Sequence, residues 1–543
     1  KETWFNDISI TNCIVEDVGR SGFFLLSPWK TREMTADGKW GGRWTMVNNA
    51  GEGSLGEFTP TTNVYIGKNI FRNISGDGII LQCMDGAVAE YNLVDETCTG
   101  NWFAAGIFPY LVSNGTVQFN ELCRTYRGND AQGVEIDALN EDFAVLYNYS
   151  HENSGGFVQF CAYGNLPTYD SYYAFNISEN DGSCGPGTNS VIMPLNAAIN
   201  CSVFNNTVYL DPYAAVDNDN QDRFFNNNSS DNQSVAIYNN IFYRAGNTYK
   251  FNQNEVSYFN SMESLADGNV MQNGDDGRFA NNLFYNFSTE GIDQDSAFYQ
   301  DNIWGVDPKL SDPGTMGDGD AEALVKDNDI SKAWKLDAYT LSEDSPAIDA
   351  GRAISTQYAE LKDMLGNTVD AQNPDLGAIQ YVGKDLLKAA VDFANVQKQA
   401  EYYQDVLPEV KAQFEQAVTD AQGVYENAEA GQDEVDAAYK DLVEKILLLD
   451  YTGDPNNLQL AFDLASGMDL SVYTEETRAE MEAAIAGARA VLEKQDATES
   501  EINAALNVLN EAREGLELIP DKENLGELIN EAEKLDLPKY TDE

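Results

Sequence analysis

The chain of 543 residues has one histidine, His151, and only 33 lysines and arginines against 89 aspartates and glutamates. A single histidine disfavours a Ser-His-Asp triad and any multi-histidine metal centre. The net charge of −56 repels nucleic acid and anionic membrane, so neither is expected as a partner. Proline is sparse, and no stretch approaches the ~20 apolar residues of a membrane span. Cysteines stand at 13, 83, 98, 123, 161, 184 and 201. An odd number without C-x-x-C spacing is neither a disulfide framework nor a zinc site. Buried free thiols are expected instead, with Cys83 and Cys161 in apolar strands. A hydrophobic content of 43% with 11% aromatics excludes disorder, and the length calls for two or more domains.

What the sequence has is repetition. An apolar–Asn motif ends at Asn92, Asn120, Asn148 and Asn176, and continues less regularly at Asn205, Asn239 and Asn281. Earlier units are suggested by Asn12 and Asn69. Each unit carries a second short apolar strand after a glycine: Gly22, Gly78, Gly106, Gly133 and Gly156. Short strands, a long fixed period and a recurring turn asparagine describe a solenoid of β coils. The asparagines are expected to form a ladder at one corner. This is the pattern of a right-handed parallel β-helix, pectate-lyase-like, over residues 1–383. Insertions at 27–62, 163–173 and 211–233 break the period, and long loops of this kind tend to be functional. The chain opens at Lys1 in strand-like sequence, so the first coil is expected to need a cap.

From Lys384 the composition turns to Ala, Glu, Leu, Gln and Lys at helical spacing. The segment ending DLSVYT at Thr474 returns as DLPKYT at Thr541, and the stretch around Val435 returns around Ile502. Three-helix units are expected at 384–454 and 455–519, with the start of a third at 520–543. They resemble FIVAR-type repeats of Gram-positive surface glycosidases, which implies an extracellular or cell-surface spacer.

The stretch NDAQGVEIDALNEDFAVLYNYSHENSGGFVQF, residues 129–160, carries the candidate chemistry. Val134 and Ile136 share one strand face, Glu135 and Asp137 the other. Asp130 and Asp137 flank a turn containing Gly133. Fully extended, they would stand roughly 23 Å apart; a turn brings two carboxyls to one bond. Glu135 competes for any acidic role. β-Helices act on carbohydrate either as lyases, which need Arg or Lys and usually calcium, or as hydrolases with paired carboxylates. Arg124 and Arg127 keep a lyase open, but the Gly-His-Gly and Arg-x-Lys pattern of polygalacturonases is missing.

The same stretch resembles the lacto-N-biosidases of glycoside hydrolase family 136, gut-bacterial enzymes that release lacto-N-biose from human milk oligosaccharides. The resemblance is strong over 120–161 and general over 1–383. It implies a retaining glycosidase with two aspartates seven residues apart, Asp137 as nucleophile and Asp130 as acid/base. Gln82, Asp85, Trp102, Tyr110, Gln159 and Tyr163 are the expected substrate contacts, suited to a sugar's hydroxyl rim and apolar faces. No cofactor is expected, with a structural calcium left open. The family also has an upstream helical segment, in some members on a separate chain, which implies a capping segment or partner subunit. A polysaccharide lyase and a non-catalytic glycan-binding adhesin are the alternatives.

Overall fold

A computed structural model describes residues 5–25, 31–34, 40–45, 55–57, 60–100, 103–126, 130–162, 168–182, 190–196, 198–211, 223–225, 235–256, 279–294, 301–358 and 360–381 of a first compact unit, Lys1–Tyr381. In the second unit, Val382–Glu543, it describes 382–400, 406–427, 432–447, 456–466, 470–494 and 497–516 with residues 403, 430, 449 and 468.

The first unit is mainly β, with large parallel sheets. Short strands pair in parallel with the strand one repeat later. One wall has ten strands, from Ile14–Val18 through Leu93–Asp95, Glu121–Cys123, Tyr149–His151 and Ile177–Glu179 to Ile303–Trp304. A second wall has twelve, and a third stacks Ile136–Asp137, Val158–Ala162, Ser190–Asn196 and Arg223–Phe225. Alternate residues of all three face one interior. There Ile66, Leu81, Val94, Val117, Leu122, Ile136, Val145, Phe160 and Val203 form one apolar cluster. A second, antiparallel sheet of Thr31–Met34, Trp40–Thr45 and Leu55–Glu57 occupies part of the 27–62 insertion.

The period comes from the asparagine ladder. Asn92 Nδ2 donates to Asn120 Oδ1 at 2.9 Å, Asn120 to Asn148 and Asn148 to Asn176 at 3.0 Å each. Each amide also donates to a main-chain carbonyl of the preceding repeat, so no buried donor is wasted. After Asn176 the ladder runs through Asn206, Asn240, Asn282 and Asn302. This corrects the expected positions Asn205, Asn239 and Asn281. Those three are the left-handed residues just before the ladder, with φ between 51° and 59°. Tyr91, Phe119, Tyr147 and Phe175 hold the same left-handed place in earlier repeats. Asparagine tolerates that conformation far better than an aromatic side chain. A doubled Asn therefore serves both the bend and the ladder. At the beginning of the chain Cys13 holds the ladder place, its N–H donating to Asn69 Oδ1 at 2.9 Å, while Asn12 is left-handed.

The glycines of the apolar strands form a column of their own. A Cβ on Gly22 would lie 2.6 Å from the Gly78 carbonyl oxygen, one on Gly78 2.6 Å from that of Gly106, and one on Gly106 2.5 Å from that of Gly133. Close approach of backbones, not an unusual φ, requires glycine here.

In the second unit, Lys384–Gln397, Pro408–Glu426 and Gln432–Leu447 share a core of Leu387, Val391, Phe414, Val418 and Leu442. Asn456–Ser466, Glu475–Leu492 and Glu499–Glu514 share another, of Leu458, Met481, Ala488, Ile502 and Leu509. Among the described residues no helix is long and apolar enough to cross a membrane. Residues 520–543 lie outside the described residues.

Candidate active site

The site is built on the third wall. Val134 bridges Ile107, and Ile136 and Asp137 pair with Phe160 and Cys161. Counting along these registers, Glu135 and Gln159 share one outward row. Gln82, Tyr110, Asp137 and Cys161 share the next, Gln82 pairing directly with Tyr110. The strand is braced from inside by Tyr173, whose hydroxyl donates to the carbonyls of Gln159 at 3.0 Å and Val134 at 3.1 Å. From the other end, Asn140 Nδ2 and Thr168 Oγ1 both hold the Asp137 carbonyl at 2.6 Å. Ala131 and Leu139, flanking the strand, are left-handed with φ of 69° and 67°, as Cys83 and Leu111 are in earlier repeats. The turn expected at Gly133 is thus made at Ala131, while Gly133 serves the glycine column.

Four carboxyls meet here. Asp137 is 4% exposed, Glu135 3% and Asp77 3%, whereas Asp130 is half-buried. Asp137 Oδ1 accepts the Ala138 N–H at 2.6 Å. Gln159 Nε2 donates to Glu135 Oε1 at 2.9 Å and lies 3.4 Å from Asp130 Oδ1. Asp77 accepts from Ala105 N at 3.1 Å and from Arg20 Nη1 at 3.0 Å. Burial pushes the Asp130 carboxyl up to about 6, with the charge of Asp77 adding to it against the Gln159 hydrogen bond. Burial, then the charges of Asp130 and Asp137, holds Glu135 well above the usual range. Burial does the same for Asp137, opposed by the Ala138 N–H and reinforced by Asp130 and Asp77. Like charges in a dry site cannot all ionise together, so the cluster shares protons, as an acid/base pair must.

Asp130, Asp137 and Gln159 are brought together, and Gln82 and Tyr110 line the row beside Asp137. Asp85 is set apart at its strand end, where it accepts from Asn114 Nδ2 at 2.7 Å. Trp102, Tyr163 and Arg127 lie outside the described residues. Asp137, although on an outward row, is buried. Asp77, Gln132 and Tyr173 were not singled out by the sequence, and Cys161 was expected only as a buried thiol. The signal for Asp77 and Gln132 was available: both precede a column glycine, as Ser21 and Ala105 do. Gln132 is fully buried, and neither atom of its amide finds a partner among the described residues; Gln82 Oε1 and Gln159 Oε1 share that condition. Buried amide oxygens without partners are costly, and three of them beside one carboxyl cluster suit a polar ligand.

Arg124 does not serve this site. It is bound to Asp95 at 2.7 Å and to Asp318 on the ten-stranded wall. Its commitment there makes it unavailable to Asp130; among the described residues, the arginine that reaches the carboxyl cluster is Arg20, paired with Asp77. Among the described residues two sets of donors converge within 4.8 Å and could hold a metal: Glu121, Cys123 and His151 on that wall, and His151, Glu152 and Asp318 beside it. Glu121 is occupied, taking Trp334 Nε1 and Gly319 N at 3.0 Å each and His151 Nε2 at 3.3 Å.

Residues 384–449 and 467–517 match the FIVAR domain. The chain is 27% identical over 406 residues to a lacto-N-biosidase of Bifidobacterium longum subsp. longum, an alignment taking in 69% of this chain and 22% of that protein. It therefore spans less than a quarter of that relative's length. Two solved structures of the family 136 lacto-N-biosidase from Eubacterium ramulus, native and selenomethionine forms, are 20% and 19% identical. Each superposes with a TM-score of 0.21 over 33% of this chain and 28% of that one, too partial to bear on the fold. The chain is thus similar to a lacto-N-biosidase and carries two FIVAR segments.

Proposed function

We propose that the chain is a glycoside hydrolase of the lacto-N-biosidase type, cleaving β-linked lacto-N-biose from oligosaccharides with retention of configuration. The observation that carries this is the meeting of Asp130 and Asp137 in one largely buried carboxyl cluster, on a chain similar to a lacto-N-biosidase. Asp137 attacks the anomeric carbon, and Asp130 protonates the leaving oxygen and then activates water. The Ala138 N–H favours an ionised Asp137. Gln82, Tyr110 and Gln159 line the sugar site, and the reaction needs no cofactor.

One observation favours a second reading. Asp137 is the more deeply buried of the two, whereas Asp130 is half-buried, the arrangement expected if Asp137 were the acid and Asp130 the nucleophile. Trapping the glycosyl-enzyme and mapping the labelled aspartate separates the two. The reading as a whole is tested by proton NMR in the first minutes of hydrolysis of a β-linked lacto-N-bioside. Initial β-anomer supports it; initial α-anomer means inversion and removes both nucleophile assignments. Unsaturated uronide would indicate a lyase, and binding without turnover an adhesin.

In this reading residues 1–383 form a right-handed parallel β-helix, and 384–454 and 455–519 are three-helix bundles acting as a spacer outside a Gram-positive gut bacterium. Phe5, Ile14 and Phe24 are exposed on the first repeat. A capping segment or partner subunit would cover this apolar end.

A further inference from the structure

We propose that Glu135 is a positioning residue, a buried carboxyl that fixes the Gln159 amide so that its second N–H is turned on Asp130. The inference rests on the reading of Asp130 as one of the two reacting carboxyls.

Gln159 has no other anchor for its amide. Its Oε1 finds no partner among the described residues, and its side chain is fully buried. Orientation therefore falls to Nε2, which has two N–H groups and two carboxyl neighbours. The contact with Glu135 at 2.9 Å is a good hydrogen bond; the one with Asp130 at 3.4 Å is long. The short bond sets the amide plane and the long one follows from it. The Gln159 backbone is independently fixed, since its carbonyl accepts from Tyr173 Oη at 3.0 Å. Only the side-chain torsions remain to be set, and Glu135, on the same outward row, sets them.

An uncharged Glu135 suits this task. Asp130 already feels Asp77, and Asp77 is answered by Arg20. Glu135 and Asp137 complete the acidic side of the cluster, and the thiols of Cys98 and Cys161 face it. A further full charge at Glu135 would press both aspartates toward protonation and leave no nucleophile. Burial and the two aspartate charges keep the Glu135 proton on instead. A neutral carboxyl still offers its carbonyl oxygen to Gln159. The group thus orients without competing for charge, as residues surrounding a reacting pair are expected to do.

The test is the pH dependence of kcat/KM of the full chain on an aryl β-lacto-N-bioside, with Glu135→Gln, Glu135→Ala and Gln159→Ala. Losing the Gln159 N–H removes a contact that favours ionised Asp130. In both alanine variants the ionisation near 6 should rise by about half a unit to one unit. The rate should fall on the order of 10- to 100-fold. Glu135→Gln keeps an uncharged acceptor and should restore the wild-type midpoint, with the rate within about fivefold. Glu135→Gln as inactive as Asp137→Asn would mean that the charge is needed, which overturns the proposal. So would an unmoved midpoint in Gln159→Ala, which serves as the deciding variant if Glu135→Ala does not fold. Undiminished turnover in both Asp130→Asn and Asp137→Asn would instead sink the reading of the site, a result separable from the Glu135 arms.

Discussion

The first unit buries carboxyls on two walls, and the two sets are treated in opposite ways. On the ten-stranded wall, Glu179 accepts from the hydroxyls of Tyr149 at 3.0 Å and Tyr339 at 2.5 Å and from Met316 N at 3.3 Å. Glu121 takes Trp334, Gly319 and His151. His151 stacks on Tyr149 with centroids 4.4 Å apart. Burial pulls its imidazole down, but hydrogen bonds with Cys123, Glu121 and Glu152 outweigh this and hold it well above its ordinary value. Every oxygen has a donor, and four of the six donors, Met316, Gly319, Trp334 and Tyr339, come from residues 316–339, which these carboxylates fasten to the wall. On the third wall Asp130, Glu135 and Asp137 share one amide, one main-chain N–H and a thiol, with Gln132 left unpaired beside them. Satisfied buried charge is architecture; crowded, under-donated buried charge is stored reactivity.

The sharpest way to break this contrast is to neutralise one carboxyl on each wall. Asp137→Asn should fold normally and lose at least about 10³-fold in kcat, because only a reacting group is removed. Glu179→Ala should do the reverse. It strands the Tyr339 phenol and the Met316 N–H, whereas Tyr149 keeps the Gly317 carbonyl at 2.9 Å. This costs roughly 2 kcal/mol or more of stability, while the folded fraction keeps its specific activity. Calorimetry and active-site titration on the two variants read both quantities. Equal destabilisation by the two substitutions would erase the distinction.

A substitution in the asparagine ladder is expected to resemble the Glu179 variant more than the Asp137 one. Asn148 donates to Leu146 O, Val117 O and Asn176 Oδ1, and accepts from Asn120. Asn148→Ala leaves several main-chain groups unpaired in the interior and should cost about 2–3 kcal/mol. Urea unfolding followed by tryptophan fluorescence would give the value. An effect under half a kcal/mol would show that the ladder is decorative.

These contrasts mark how far the sequence could be read. Asn92, Asn120, Asn148 and Asn176 betrayed the period because each follows an aromatic residue and they are spaced alike. The register slipped at Asn205 because Asn205 and Asn206 are both asparagines, and pattern alone cannot say which one bends and which one bonds. The glycine column was visible as punctuation but not as a reason for close packing. Asp130, Asp137 and Gln159 lay within one stretch. Asp77 stands 53 positions before Asp130, and only the stacking of repeats brings it near. Arg124 seemed near in sequence and is committed to the other wall, since strands three to seven residues apart turn onto different faces of the unit.

The smallest effect expected sharpens the contrast through pH. Asp130 titrates near 6 in the folded chain, above an unfolded carboxyl near 4. A folded value above the unfolded one means stability that is fully present below pH ~4 and lost as pH rises through about 6. At neutral pH the ionised Asp130 therefore weighs against the fold. Asp130→Asn removes that penalty, so the variant should melt higher than wild type at pH 7.5, by about 1–2 kcal/mol in stability after allowing for partial exposure. The advantage should shrink through the pH 4–6 window and vanish near pH 4, where both chains carry a neutral side chain. Melting curves at half-unit steps from pH 4 to 8 would trace it. A variant equally stabilised at every pH would assign the gain to packing, and one destabilised at pH 7.5 would mean that Asp130 is held by donors, like Glu179, rather than poised for chemistry.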